Sequence, residues 1–191
     1  MSKLLTGQDY INAAKSLDVE LAVIKAVAEV ESAGDGFLPS GQPKILFEGH
    51  IFHKITDGLF DDTHPTISYP TWTKKYYLGG QKEYERFLEA KKLDPQAAIR
   101  SASWGKFQIL GNNYREAGFV SVEDFFWAMN QDEWHHLKAF VSFIISKGLV
   151  EALQQNKWAE FARAYNGPGF RKNDYDWKLE QAYLKHKVIP T

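Results

Sequence analysis

The segment Val23-Ile24-Lys25-Ala26-Val27-Ala28-Glu29-Val30-Glu31-Ser32-Ala33-Gly34 carries one charge where a charge is out of place. Its apolar residues recur at helical spacing, which predicts a helix over about 18–31 stopped by Ser32-Ala33-Gly34-Asp35-Gly36. Glu31 lies one turn after Val27 and two after Ile24, in the middle of the apolar stripe. Glu29 sits on the opposite side, four residues after Lys25, and reads as its solvated ion-pair partner. Glu20 shares the angle of Glu31 but occupies the first turn, where the helix dipole favours a carboxylate. Glu31 stands at the other end, where the dipole disfavours negative charge, on the face that meets the core. Both effects hold a proton on a carboxyl near neutral pH, the state a general acid needs. The bland alternative is a frayed helix end with Glu31 in water.

Outward from that helix the dominant period stays helical. Thr6 with Asp9 resembles a capping box and opens a helix through Tyr10, Ile11, Ala14 and Leu17. Residues 82–92 read as a helix with both charge signs on its exposed side. Ser121 with Asp124 caps a helix through Phe125, Phe126 and Met129, and Trp134 to Lys147 reads as a largely buried helix closed by Gly148. Trp158 to Tyr165 and Tyr175 to Lys185 complete the set. Between about 36 and 80, Pro39, Pro43, Pro65 and Pro70 with Gly41, Gly49 and Gly58 mark a loop-rich stretch with room for a short hairpin. With no repeat and no linker, residues 1–191 read as one mainly α domain, its helical lobe and a small irregular or β-hairpin lobe flanking a cleft.

Bulk properties remove several classes of function. The chain has 191 residues, 44% hydrophobic and 25% charged, so it can bury a sizeable core and is not disordered. A formal net charge of −1 leaves no electrostatic footprint for nucleic acid. Cys is absent, which excludes a disulfide framework, a thiolate nucleophile and cysteine-ligated zinc. No apolar run approaches the roughly 18 residues of a membrane span, and Met1 to Asp9 does not read as a secretory signal peptide. A soluble chain made in the cytoplasm is expected. The 15% aromatic content fits either a groove where rings stack on sugars or bases, or a Phe-rich helical core.

Three ordered segments carry a resemblance. Glu31-Ser32-Ala33-Gly34 resembles the Glu-Ser segment that closes the catalytic helix of goose-type lysozymes and lytic transglycosylases. Ser103-Trp104-Gly105-Lys106-Phe107-Gln108-Ile109-Leu110-Gly111 resembles their small-residue-then-Gln element, and Ala164-Tyr165-Asn166-Gly167-Pro168-Gly169 their Ala-Tyr-Asn-Ala-Gly-Pro-Gly segment. With Phe47-Glu48-Gly49-His50-Ile51-Phe52 and the run from Ser103 to Tyr114, the chain is still more similar to the N-acetylmuramidase domain of phage and prophage endolysins, over nearly its whole length. That likeness implies a lysozyme-like fold and hydrolysis of the β-1,4 bond between N-acetylmuramic acid and N-acetylglucosamine in peptidoglycan. It implies Glu31 as general acid, with Gln108 and Tyr165 lining the sugar cleft and the Tyr165 hydroxyl near the catalytic carboxyl. Asn166 would brace its turn, where it also reads as a helix C-cap. Gly105 would let backbone approach the substrate, and Tyr114 would add a contact. In the goose-type pattern Lys106-Phe107-Gln108 keeps only the Gln, and the Ala after Asn166 is missing. A monomeric single-domain endolysin without cofactor or separate wall-binding module is implied, reaching the wall through a holin. A lytic transglycosylase making 1,6-anhydro products shares the fold, and a non-catalytic wall-binding domain is the reading from another class.

Hydrolysis also needs a group to activate water or stabilise the cationic centre. The irregular lobe offers Glu48, Asp57, Asp61 and Asp62. Glu48 is favoured, because Ile45 to Phe52 is an apolar run where an unpaired charge is costly; pairing with His50, His53 or Arg100 is its structural alternative. His50, His53 and His64 with Asp61 or Asp62 match no defined metal spacing, and His135 and His136 point to different sides of a helix, so no metal is expected. Residues 151–191 hold seven Lys+Arg against five Asp+Glu and end a helix in Lys185-His186-Lys187. The dipole alone explains cations there; the sharper reading is a basic tail that touches outer-membrane lipids.

Overall fold

The computed structural model describes residues 3–32, 34–167 and 169–187. Ala33 and Pro168, each part of a motif quoted above, lie outside the described residues. Helix α1 (Gly7–Leu17) opens on the expected capping box, the Asp9 N–H donating to the Thr6 hydroxyl and the Thr6 N–H to the Asp9 carboxylate at 2.8 Å. It ends at Asp18 with φ 52°, a left-handed conformation that Asp tolerates. The second helix, α2 (Leu21–Glu31), therefore starts three residues later than its periodicity suggests.

Ala22, Val23, Ile24, Ala26, Val27 and Ala28 are all buried, so α2 is apolar nearly all round and runs through the middle of the protein. It packs against α1 and against the last helix, α10 (Tyr175–Lys187). Complete burial of Ile24 and Val27 contributes on the order of 2 kcal/mol each. Glu31 is the last residue of this buried rod, which fixes where its carboxyl must go.

The intervening helices are α3 (Gly49–Ile55), α4 (Glu83–Leu93), α5 (Pro95–Arg100), α6 (Val122–Met129), α7 (Glu133–Ser146), α8 (Val150–Gln154) and α9 (Trp158–Asn166). Periodicity marks α4, α6, α7, α9 and α10 to within two residues. It misses α3, α5 and α8, which at 7, 6 and 5 residues are too short to show a period. The start of α5 is nevertheless written locally: the Asp94 carboxylate accepts from the Ala97 N–H, and Pro95 takes the first helical position.

Within 36–80 a short hairpin does form, Phe37 bridging antiparallel to Pro43, and a second one lies beyond that stretch. Strands β2 (Ala102–Trp104) and β3 (Ile109–Leu110) form it, and β1 (Ile45–Phe47) adds antiparallel to β2, with Ile45 opposite Trp104 and Phe47 opposite Ala102. Partners so distant in sequence leave no local signature. Strand alternation puts Ile45, Trp104 and Ile109 in the core and leaves Leu46, Ser103 and Leu110 on the open face.

The first turn of α4 departs from its expected exposed charges. Glu83 and Arg86 are buried together at 2.6 Å. Glu83 accepts N–H bonds from Phe47, Leu78 and Gly79, while Arg86 donates to the Phe47 carbonyl. This pair fastens β1 and the end of the irregular lobe to α4. The aromatic surplus resolves into the Phe-rich core: Phe47, Phe52, Phe87, Phe107, Phe125, Phe140 and Phe161 are fully buried. Among the described residues no helix is long and apolar enough to cross a membrane.

Candidate active site

Glu31 is partly buried at the end of α2, and its two carboxylate oxygens accept from the Asn166 amide at 3.0 and 3.2 Å. Asn166 is the last helical residue of α9 rather than its cap. Gly167, with φ 82°, turns the chain away. Burial pushes the Glu31 carboxyl up to about 8, the direction its place on the helical wheel requires. The carbonyl oxygen of the Asn166 side chain is buried without a partner among the described residues. An amide can present either its NH₂ or its oxygen, which suits a carboxyl that gains and gives up a proton.

Glu31 lines a cavity of about 430 Å³ together with Asp35, Leu46, Gly80, Gly105, Lys106 and Gln108. Gln108 stands in the β2–β3 turn at φ 47°, its amide donating to the Gly105 carbonyl at 2.8 Å. Tyr165 lies outside the cavity lining, with its hydroxyl close enough to Glu31 to feel that charge. Its hydroxyl donates to the Phe107 carbonyl at 2.8 Å, and its ring stacks on Phe161 and meets Phe140 and Phe143 edge-on. It thus braces the turn that carries Gln108. Burial, and after it the charge of Glu31, hold the Tyr165 hydroxyl well above 10. Tyr114 packs half-buried against the core under the Arg115 guanidinium and does not line the cavity. Among the described residues no aromatic ring does.

The carboxylate sharing this cavity with Glu31 is Asp35, which the sequence shows only as part of a helix stop. Glu48 occupies the N-cap position of α3 without a side-chain capping bond and lies outside the cavity lining. Its carboxylate accepts the Tyr77 hydroxyl and stands 3.4 Å from the His50 ring. The Asp61 carboxylate is tied to His53 at 2.7 Å and to the Ser68 hydroxyl. Asp57 and Asp62 are exposed and likewise line no part of the cavity.

Beneath the cavity floor lies a polar hub. Lys106, almost fully buried, reaches Glu133 at 3.2 Å and donates to the Gly34 carbonyl at 3.0 Å. Glu133 also accepts the Gly36 N–H at 2.5 Å and the Leu5 N–H at 3.1 Å. The His136 ring accepts the Lys106 N–H and donates to the Met129 carbonyl, which fixes one neutral tautomer. Burial depresses the His136 ring to about 4. The hub pins residues 34–36 and the Lys106 turn, the two segments flanking Glu31. Glu133 and His136 come from one turn of α7 and Lys106 from the β2–β3 turn, a meeting that neither period nor spacing reveals.

Gly105 serves this hub as well as the cavity. It sits at φ 68°, and a Cβ there would come within 2.6 Å of the His136 ring. Gly105→Ala is therefore expected to cost about 3 kcal/mol in urea unfolding, from overpacking against an immobile ring plus a left-handed backbone. A loss under about 1 kcal/mol would mean that the ring can retreat.

The charges near the C-terminal end of α10 are spent on α2. Glu29 pairs with Lys185 at 2.9 Å and His186 at 2.8 Å, in place of the expected Lys25, and Lys187 lies 3.6 Å from Glu20.

Comparison with protein families matches the N-acetylmuramidase model over residues 20–187. Among solved structures, the crystal structure of a Burkholderia AP3 phage endolysin is similar at 36% identity with a TM-score of 0.92, over 99% of this chain and 74% of that one. Comparison with curated proteins gives no match.

Proposed function

The chain belongs to the N-acetylmuramidase family and is therefore a peptidoglycan-cleaving enzyme, and we propose that it hydrolyses the β-1,4 bond between N-acetylmuramic acid and N-acetylglucosamine with Glu31 as general acid. The observation that carries this reading is a carboxyl raised to about 8 that opens on a sugar-sized cavity and faces an amide able to follow its proton. A group with that affinity is protonated at neutral pH and can deliver its proton to a leaving glycosidic oxygen.

Asp35 is our choice for the second carboxylate, holding the attacking water or stabilising the cationic sugar, because it lines the same cavity. Glu48, favoured from the sequence, is held by Tyr77 and His50 outside that lining. It lies two residues beyond Leu46 and is better suited to gripping a more distant part of the glycan. Action at the cell wall follows from the substrate, and release through a holin is part of the same proposal.

Digestion of purified peptidoglycan in ¹⁸O-water, read by mass spectrometry, tests the reaction. Labelled reducing muramic ends are expected. Unlabelled 1,6-anhydro ends would make the enzyme a lytic transglycosylase, and absence of soluble product would leave wall binding alone. In the same assay Asp35→Asn is expected to lose about a hundred-fold in turnover and Glu48→Gln far less. The reverse ranking would return Glu48 to the role.

A further inference from the structure

A second groove, of about 570 Å³, runs beside the Glu31 cavity and shares Ser32, Asp35 and Lys106 with it. One wall is a single face of α2, where Lys25, Ala28, Glu29 and Ser32 recur at helical spacing. From Ser32 back to Lys25 this face covers about 10 Å of helix axis. Tyr10 and His186 also line it.

Charge is unevenly distributed along the groove. Asp35 stands at the end shared with the cavity. Glu29 is neutralised by Lys185 and also bonds the His186 ring, and Lys106 is neutralised by Glu133. Lys25, at the other end, has no ion-pair or hydrogen-bond partner among the described residues. Ala28 between them extends no further than its methyl group, which leaves the middle of the groove open. The groove thus runs from negative beside the cavity to positive away from it.

We propose that this groove takes the acidic peptide that peptidoglycan carries on its muramic acid, with Lys25 pairing to a peptide carboxylate. The inference rests on the muramidase reading. A muramic residue bound at Glu31 carries its peptide on the sugar ring itself, so the peptide must leave the cavity through a nearby opening. The rim at Ser32, Asp35 and Lys106 is such an opening. About three extended residues, at ~3.4 Å each, reach from there to Lys25. The polarity of the groove favours a peptide whose carboxylates lie away from the sugar. The groove therefore recognises the peptide while the cavity recognises the glycan.

Two soluble substrates separate this assignment from the muramidase reading: glycan strands bearing their peptides, and the same strands stripped by an amidase. The readout is the ratio of kcat/KM on the two. Wild type is expected to favour peptide-bearing strands, and Lys25→Glu to shrink that preference about tenfold, through KM. Lys25→Gln should shrink it about threefold and decides the matter should the charge reversal fail to fold. Lys92→Glu, the same reversal on exposed α4, should leave the ratio alone. A wild type without the preference, or a ratio undiminished in both Lys25 variants, overturns the groove assignment. A wild type that cleaves neither substrate overturns the muramidase reading instead.

Discussion

Glu31→Gln is expected to lose about a thousand-fold or more in turnover on peptidoglycan and, at alkaline pH, to become more stable than the wild type. Gln keeps the shape of the side chain but has no proton to deliver. In the wild type the acid form persists up to about 8, so kcat should fall about tenfold per pH unit above that value. The stability effect follows from the same shift. The folded chain holds the Glu31 proton to about 8, whereas the unfolded chain releases it near 4.5. Ionisation therefore opposes folding, starting above 4.5 and reaching its full size beyond 8, where it amounts to a few kcal/mol in order of magnitude. Near pH 4 both states are protonated and the advantage of Gln disappears. Urea midpoints at about pH 4 and pH 9, with turnover across the range, check both halves. Retained turnover in Glu31→Gln, or a flat alkaline limb in the wild type, would remove Glu31 from its role.

Glu133→Ala is expected to destabilise the protein by about 3–5 kcal/mol. It strands the buried Lys106 ammonium and leaves the Gly36 and Leu5 N–H groups without their acceptor. Because Gly36 follows closely on Glu31, whatever folded protein remains should also lose activity through misplacement of the Glu31 carboxyl. Glu133→Gln, which keeps an acceptor but not the charge, should fall between. A Glu133→Ala urea midpoint within error of the wild type would show that the hub carries no weight.

His136 gives the hub a sensitivity to acid. Its ring is held at about 4, well below the 6.5 of a free histidine. Between those values the unfolded chain takes up a proton that the folded chain refuses, so stability declines as pH falls through that window, by roughly 3 kcal/mol in all. His136→Asn, which cannot take up a proton, should lack that part of the slope. An identical slope in this variant would assign the acid loss to the carboxylates.

Residues whose role depends on a helix they themselves belong to were legible in the sequence. Glu31 is the plainest case: a wheel drawn over its own helix puts a carboxylate on the apolar stripe, and the structure buries it with the shift the wheel implies. The Thr6, Ser121 and Gly148 signals sit within a turn of the elements they bound, and the helices start and stop there. The three ordered motifs pointed to the family because each is a short contiguous stretch. What the sequence could not show is which stretches meet. Asn166 reads as a cap and proves to bond Glu31 from 135 residues away. Tyr165 reads as a cleft residue and bonds the backbone of Phe107. Asp35 looks like punctuation, yet it faces the same cavity as Glu31. Glu133, His136 and Lys106 carry no local mark of burial, and packing together turns them into the floor beneath it. Local propensity acts through neighbours along the chain, so Glu31 and its helix were determined there. The place of Asp35 beside Glu31, the hub and the groove are set by contacts across the fold, and only the folded chain decides those.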